Sequence, residues 1–137
     1  MLGEQIEELK GKITSQRVIE VEPPTVETSV SSSGTIRGVQ VNEILTFAGT
    51  PVTSSEVKEG VIHGKGVAII MAESEIATLT GEGIGRIFSS SGNTKWRGSL
   101  FFTTASKGKL AFLNNMIGVF EGEFDTQGNF TQKSWEW

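Results

Sequence analysis

The sequence predicts an all-β fold: a single antiparallel (meander) β-barrel of about eight strands. Segments rich in β-branched and aromatic residues follow one another at short intervals, separated by turn signals containing Gly, Pro, Asn or Ser. No stretch shows the strand–helix alternation typical of a parallel sheet. The chain has 17 glycines in 137 residues, several of them inside predicted strands. Such glycines indicate a sheet that coils tightly and closes on itself.

The strands are delimited by these turn signals. Residues 1–12 are rich in helix formers and are expected to be a short helix or a frayed lead-in to the first strand. The pattern leaves open whether residues 1–35 complete the barrel or pack across it. The predicted strands are Ile13–Val21, Val26–Ile36 (an edge strand or an ordered loop), Val39–Phe47, Gly60–Ala72, Ile76–Phe88, Lys95–Thr104, Met116–Asp125 and Asn129–Trp137.

Length and composition exclude several classes of protein. Residues 1–137 fit one domain with its own hydrophobic core. The net charge of −4 and the lack of a basic run argue against nucleic acid as a partner. Without cysteine there is no disulfide and no thiolate chemistry. With one histidine and no Ca²⁺ or Mg²⁺ loop we expect no metal and no cofactor. Without a signal-like or membrane-spanning apolar run we expect a cytoplasmic protein and no membrane partner.

Simple hairpin registers predict the interior face. A three-residue turn at 73–75 sets the even-numbered residues of both flanking strands on one face. The next hairpin is expected to pair Phe88 with Trp96, because a one-residue shift would set two arginines opposite each other. The predicted interior face includes Ile62, Gly64, Gly66, Ala68, Ile70, Ala72, Glu82, Ile84, Arg86, Trp96, Leu100 and Phe102.

The glycine and aromatic placements resemble those of a known family. Gly81-Glu82-Gly83-Ile84-Gly85-Arg86 follows a Gly-rich strand, Trp96-x-Gly98 comes next, and a hairpin ends the chain. Residues 34–137 therefore resemble the allene oxide cyclase-type β-barrels and the small uncharacterised bacterial and archaeal proteins grouped with that calycin-like fold. The resemblance implies an apolar lumen for a lipid-derived ligand, a few polar groups with a positioned water, and often a homo-oligomer. The catalytic residues of the cyclase do not map one by one onto this chain.

The candidate ligand-binding residues are Glu82, Arg86, Trp96, Phe102 and Asn114. Glu82 and Arg86 lie roughly 13 Å apart along one strand, near enough to flank one ligand. A charge inside a barrel is costly unless it is paired, so burial there would mark a site or a structural ion pair. Alternatively, both residues lie near a barrel mouth and contact water. Asn114 either hydrogen-bonds a ligand at the mouth or satisfies loop backbone.

Other distinctive residues are expected on the outer surface. His63, the only histidine, alternates with residues predicted to face outward. Glu121 is expected to face Lys133 in a solvated cross-strand pair. An outer patch would form an interface between copies, which predicts a homo-oligomer. This patch consists of Ile117, Val119, Trp135 and Trp137.

Three functions remain open at this point. The favoured one is binding of a small apolar molecule in the lumen. The second is a cyclase-like or isomerase-like enzyme that acts on a hydrophobic substrate through Glu82 and Arg86. The third is a structural oligomeric module whose barrel is filled by its own side chains. Interior glycine and alanine fit either an open lumen or a narrow, packed one.

Overall fold

The computed structural model describes residues 2–51 and 60–137, and these form one closed antiparallel barrel of eight strands in sequence order. Each strand pairs with the next, and β1 also pairs with β8, which closes the sheet. The predicted all-β meander barrel is therefore confirmed. The strands are β1 (Gln5–Val21), β2 (Pro24–Ile36), β3 (Val39–Pro51), β4 (Val61–Ala72), β5 (Glu75–Ile87), β6 (Thr94–Thr104), β7 (Ile117–Phe124) and β8 (Asn129–Glu136).

The N-terminal segment completes the barrel. β1 begins at Gln5 and pairs with β2 on one side and β8 on the other. The expectation of a short helix or frayed lead-in over residues 1–12 is therefore wrong from Gln5 onward. Pairing on both sides overrides the modest helix propensity of its Glu and Lys residues. β2 likewise has a neighbour on each side, so Val26–Ile36 is not an edge strand.

A β-bulge interrupts β1 close to its start. The register against β8 shifts between Gln5 and Glu7. Adjacent residues of a regular strand face opposite sides of the sheet, but at a bulge this alternation is broken. Ile6 and Glu7 are both buried. The bulge thus turns the Glu7 carboxyl toward the interior.

The β4–β5 hairpin differs from the predicted register by one residue. Ala72 pairs with Glu75 around a two-residue turn in which Glu73 has a φ of 58°. Two-residue turns of this left-handed kind match the twist of a hairpin. A one-residue shift exchanges the two faces of a strand. The inward residues of β5 are therefore Ala77, Leu79, Gly81, Gly83 and Gly85, each of which pairs with an inward residue of β4.

The predicted interior faces of β4 and β6 are confirmed. Ala68 and Ile70 of β4 are buried, as are Trp96 and Phe102 of β6. The predicted pairing of Phe88 with Trp96 is wrong, since Trp96 pairs with Gly85. The errors in the β4–β5 and β5–β6 registers cancel for β6, so its inward face is the predicted one. Only β5 has its inward and outward faces exchanged relative to the prediction.

The interior has two apolar halves. In the first, which we call the plug half, the β6–β7 connection folds over one barrel end through the 3₁₀ helix Ala111–Leu113. Leu110 and Leu113 of this connection are 0% exposed. The second, which we call the aromatic half, lies toward the other end and is built around Phe47, Trp96, Phe124 and Phe130.

The strand glycines make room for the aromatic half. A Cβ added at Gly64 or at Gly85 would lie 2.7 Å from the Trp96 ring. That distance is well inside van der Waals contact, so the indole can lie against the sheet only where both positions lack a side chain. The glycines thus reflect close aromatic packing inside a tightly curved barrel.

Candidate functional site

Two glutamates are buried inside the barrel. Glu7 of β1 and Glu43 of β3 are each 1% exposed. Glu43 faces inward because it alternates with the inward residues Val41 and Leu45, and Glu7 faces inward because of the bulge. We call Glu7 and Glu43 the carboxyl pair.

The carboxyl pair is only partly hydrogen-bonded. The Glu7 Oε1 atom accepts hydrogen bonds from Gln132 Nε2 at 2.7 Å and from Ser134 Oγ at 2.6 Å. Three other buried oxygens have no partner among the described residues: Oε2 of Glu7, Oε2 of Glu43 and Oγ of Ser32. Ser32 lies directly across from Glu43 in the β2–β3 ladder. Buried polar atoms without partners are uncommon, so a group of three indicates a place for a polar group from outside the chain.

Burial and mutual repulsion keep protons on this pair. Desolvation raises the pKa of Glu43 well above its ordinary value, and the negative charge of nearby Glu7 raises it further. Desolvation also raises the pKa of Glu7, but the hydrogen bonds from Ser134 and Gln132 oppose that shift. Glu43 is accordingly the group that holds its proton, and Glu7 is the one that ionises more readily.

A cavity of about 60 Å³ lies where the two apolar halves meet; we call it the inner cavity. Glu43 and Gln132 are its polar side chains, since Glu82, which also borders it, directs its carboxylate outward. Phe47, Trp96, Phe124 and Phe130 line it together with Leu45 and Leu79. The cavity is thus an aromatic and aliphatic chamber with a carboxyl group in its wall.

A larger groove of about 660 Å³, which we call the mouth groove, lies at the barrel end opposite the plug. It is bounded by strand ends and by the β7–β8 turn, residues 125–128. Phe47, Trp96 and Phe124 line both this groove and the inner cavity. The Phe47 ring contacts the Trp96 ring edge-on, with 5.3 Å between the ring centroids. It also packs at a tilt against the Phe124 ring, with 5.8 Å between the centroids. These three rings form the partition between the two spaces.

Three of the predicted site residues lie in different places. Trp96 borders both spaces, as a lumen residue should. Phe102 is buried in the plug half and does not line the inner cavity. Asn114 is exposed, and its Oδ1 accepts a hydrogen bond from the Thr104 backbone N–H at 3.3 Å. That contact corresponds to the loop-satisfying role considered for it.

The prediction that Glu82 and Arg86 face the interior is wrong. Both are exposed, because the β4–β5 register reverses the faces of β5. Glu82 forms an ion pair with Lys65 of β4, with 3.1 Å between Nζ and Oε1. Arg86 lies opposite Lys95 on the outer surface. The two residues are therefore not placed to share a ligand in the lumen.

The outer surface is otherwise as predicted. His63 is exposed, and Glu121 pairs across from Lys133 while also lying 3.8 Å from Arg97. Val119 lies opposite Trp135, and Ile117 and Trp137 are exposed beside them. Within residues 2–51 and 60–137 no group of three or more His, Asp or Glu side chains is arranged to hold a metal ion.

The carboxyl pair was absent from the predicted site, although one member had a signal. Val39, Val41, Glu43, Leu45 and Phe47 alternate on one face, and a lone carboxylate in an apolar face indicates an inward charge. Glu7 had no such signal, because an alternating pattern cannot reveal a bulge.

Comparisons of this chain with protein-family models, with curated proteins and with solved structures gave no match. The barrel is compatible with a calycin-like fold. In the part of the chain that the structure describes, no helix is long and apolar enough to cross a membrane.

Proposed function

We propose that this barrel binds a small molecule that has an apolar body and one polar head. The apolar body would lie in the mouth groove against Trp96 and Phe124. The head would enter the inner cavity and meet Glu43. The observation that carries the proposal is the buried, unpartnered Oε2 of Glu43 in the wall of an otherwise apolar cavity, judged among the described residues.

Size constrains how such a ligand binds. The inner cavity, at about 60 Å³, has roughly the bulk volume of two water molecules. Sites for complete small ligands measure roughly 300–1,000 Å³, a range that includes the mouth groove. The inner cavity therefore suits a polar head no wider than a methylene chain. For the ligand to occupy both spaces, the partition formed by Phe47, Trp96 and Phe124 has to shift.

The test is a titration of the protein with butan-1-ol, in which the backbone amide NMR signals report binding. Gly64, Gly66, Gly81 and Gly83 line the inner cavity, whereas Gly38 and Gly108 border neither the inner cavity nor the mouth groove. We expect saturable shifts at the first four amides and none at the last two. Absence of saturable shifts at the cavity glycines would contradict the proposal. Native mass spectrometry of protein from its own host would then identify a natural ligand.

A second candidate is an enzyme that uses the carboxyl pair for acid–base chemistry on a hydrophobic substrate. The observation that favours it is the division of roles within the pair, since a protonated Glu43 can donate and a more readily ionised Glu7 can accept. The resemblance to allene oxide cyclase-type barrels supports a cyclase or isomerase of this kind. Turnover of a bound substrate that is lost in both Glu43→Gln and Glu7→Gln would distinguish the enzyme from a binder.

The homo-oligomer stays a prediction. Ile44 pairs with Ile69 and Phe101 pairs with Ile117, and all four are exposed on the outer face of the barrel. Large apolar patches of this kind are typical of contact surfaces. We expect light scattering to give a mass above that of one chain, and Phe101→Lys to reduce it. A monomeric wild-type protein would contradict this prediction.

A further inference from the structure

We infer that the polar head of the ligand is a protonated amine, held by Glu43 and Glu7 inside the aromatic half of the barrel. This inference rests on the proposed binding function and specifies the chemical class of the ligand. It follows from the unpartnered oxygens of Glu43 and of its neighbours Glu7 and Ser32, from the charges of the carboxyl pair, and from the aromatic rings that line the inner cavity with Glu43.

The acceptors match an ammonium group. An ammonium carries three N–H donors and no acceptor, whereas a hydroxyl carries a single donor. The three unpartnered buried oxygens are Glu43 Oε2, Glu7 Oε2 and Ser32 Oγ, among the described residues. Ionised carboxylates offer only acceptors, and hydrogen bonds between two charged groups are the strongest kind in proteins. An amine can therefore satisfy atoms that a hydroxyl would leave unpaired.

The protein supplies no matching cation from its described residues. Within residues 2–51 and 60–137, the buried charged side chains are Glu7 and Glu43, and no lysine, arginine or histidine is buried. Lys65, Lys95 and Arg97 are directed outward, to Glu82, Glu123 and Glu121 respectively. Buried carboxyls normally have a cationic partner or hold a proton. A cationic ligand would complete this pair.

The aromatic half favours a cation as well. Phe47, Trp96, Phe124 and Phe130 all border the inner cavity. Aromatic rings attract a positive charge through the negative potential of their faces, and Trp does so most strongly. This attraction is absent for a neutral head of the same size, so the rings add to the discrimination made by the carboxyl pair.

Binding of an amine should release a proton. Burial raises the pKa of Glu43 and so favours its neutral form, whereas an ammonium beside it favours the carboxylate. The proton leaves Glu43 and passes to the buffer, while the amine keeps its own three. Ser32 and Ile70 lie opposite Glu43 on the neighbouring strands, and Gln132 lines the cavity beside it; none of these side chains titrates. Glu7, which does titrate, acts on Glu43 through its charge and is itself hydrogen-bonded by Gln132 and Ser134. Amine affinity is therefore expected to rise with pH until the amine itself loses its proton.

The experiment compares n-butylamine with butan-1-ol, which have the same chain and differ in the charge of the head. Isothermal titration at about pH 7 in phosphate and in Tris buffer measures proton release, because the two buffers have different ionisation heats. We expect the amine to bind at least about tenfold more tightly than the alcohol and to release a proton, since charged hydrogen bonds are stronger. The alcohol should release none.

Variants locate the effect. Glu43→Gln keeps the shape of the side chain and should weaken butylamine binding by about tenfold or more, with less than about a threefold effect on butan-1-ol. Glu121→Gln is the matched control, because it removes an exposed carboxylate on the outer face of the same barrel, away from the inner cavity. It should leave both affinities unchanged. The proton-release measurement uses the wild-type protein, so it tests the inference even if a variant fails to fold.

The outcomes separate the two proposals. If butan-1-ol binds in the cavity but butylamine binds no more tightly, or binds without releasing a proton, the amine inference is overturned and the binding function stands. If neither probe binds, both are overturned. If butylamine binding survives in Glu43→Gln and in Glu7→Gln, the carboxyl pair is not its site.

Discussion

The plug half and the aromatic half of the barrel interior have the same inward alternation but are filled differently. The plug half is filled by Phe102 and by mainly aliphatic side chains, and it is closed by Leu110 and the 3₁₀ helix Ala111–Leu113. The aromatic half contains four large rings, which line the inner cavity together with Glu43. Glu43, whose Oε2 has no partner among the described residues, lies where the two halves meet. This contrast underlies our proposal that one half stabilises the fold while the other receives a ligand.

The largest effect that tests this contrast comes from truncating a ring in each half. Phe102→Ala in the plug half should lower the free energy of unfolding by about 3–5 kcal/mol, because it leaves a cavity in a packed core. Phe124→Ala should lower the free energy of unfolding by about half as much. Phe124 already borders the inner cavity and the mouth groove, so its ring has fewer packing contacts to lose. Urea unfolding measures both. Equal costs would mean that the two halves are packed alike.

Replacing the buried acid should stabilise the protein. The pKa of Glu43 is raised in the folded state. The stability that its protonated side chain contributes is therefore fully present below the ordinary pKa of 4.5, and it is lost as the pH rises through the raised pKa. Glu43→Leu should therefore raise the free energy of unfolding by about 1–3 kcal/mol near pH 8, and by less near pH 4. Thermal unfolding over this pH range measures the difference.

The control for this substitution is Glu82→Leu on the outer face. Glu82 is more than half exposed, and its ion-pair partner among the described residues is Lys65. Its loss should change the unfolding free energy by no more than about 0.5 kcal/mol at any pH. A destabilised Glu43→Leu protein would show that the buried carboxyl supports the fold, contrary to the functional interpretation.

An effect of similar size, but in the destabilising direction, is expected from crowding the Trp96 ring. Gly85→Ala adds a methyl group 2.7 Å from the indole, which should cost about 1–3 kcal/mol and displace the ring. Gly122→Ala is its match on β7, where the nearest atom, in the Phe130 ring, lies at an ordinary 3.4 Å. Stability and tryptophan emission report the two changes. Similar results for both variants would show that Gly85 is not required for the ring to fit.

The smallest effect concerns how the plug is held. The Glu75 carboxylate accepts hydrogen bonds from the Ser106 hydroxyl and from the Leu110 and Lys109 backbone N–H groups. The Ser106 hydrogen bond is the main reason that the pKa of Glu75 is lowered, and the Leu110 N–H adds to it. The stability that the ionised Glu75 contributes is present above the ordinary pKa of 4.5, and it is lost as the pH falls through the lowered pKa.

Glu75→Gln should therefore speed hydrogen exchange at the Leu110 amide near neutral pH. The difference from the wild-type protein should vanish at low pH, where both side chains are neutral. Exchange at Gly64, in the wall of the inner cavity, serves as the internal control and should not change. Faster exchange throughout the barrel would contradict a role confined to the plug.

The sequence predicted most of the barrel and little of the site. The simple hairpin register assumed from the sequence correctly gave inward faces to β4 and β6, which include Ile70 and Phe102. It placed Glu82 and Arg86 on the wrong face, because the length of one turn decides the register and a single residue reverses a strand. The carboxyl pair was missed for the same kind of reason, since Glu7 faces inward only through a bulge.

By itself, the sequence determined the class of fold, the order of the strands and the need for a tightly curved sheet. These follow from local composition: β-branched runs, turn residues and glycines act over a few neighbouring positions. Only the tertiary structure decided that β1 closes the barrel against β8 and that Glu7 and Glu43 meet inside it. Closure and burial depend on pairing between residues more than a hundred positions apart, and local pattern does not encode such pairs.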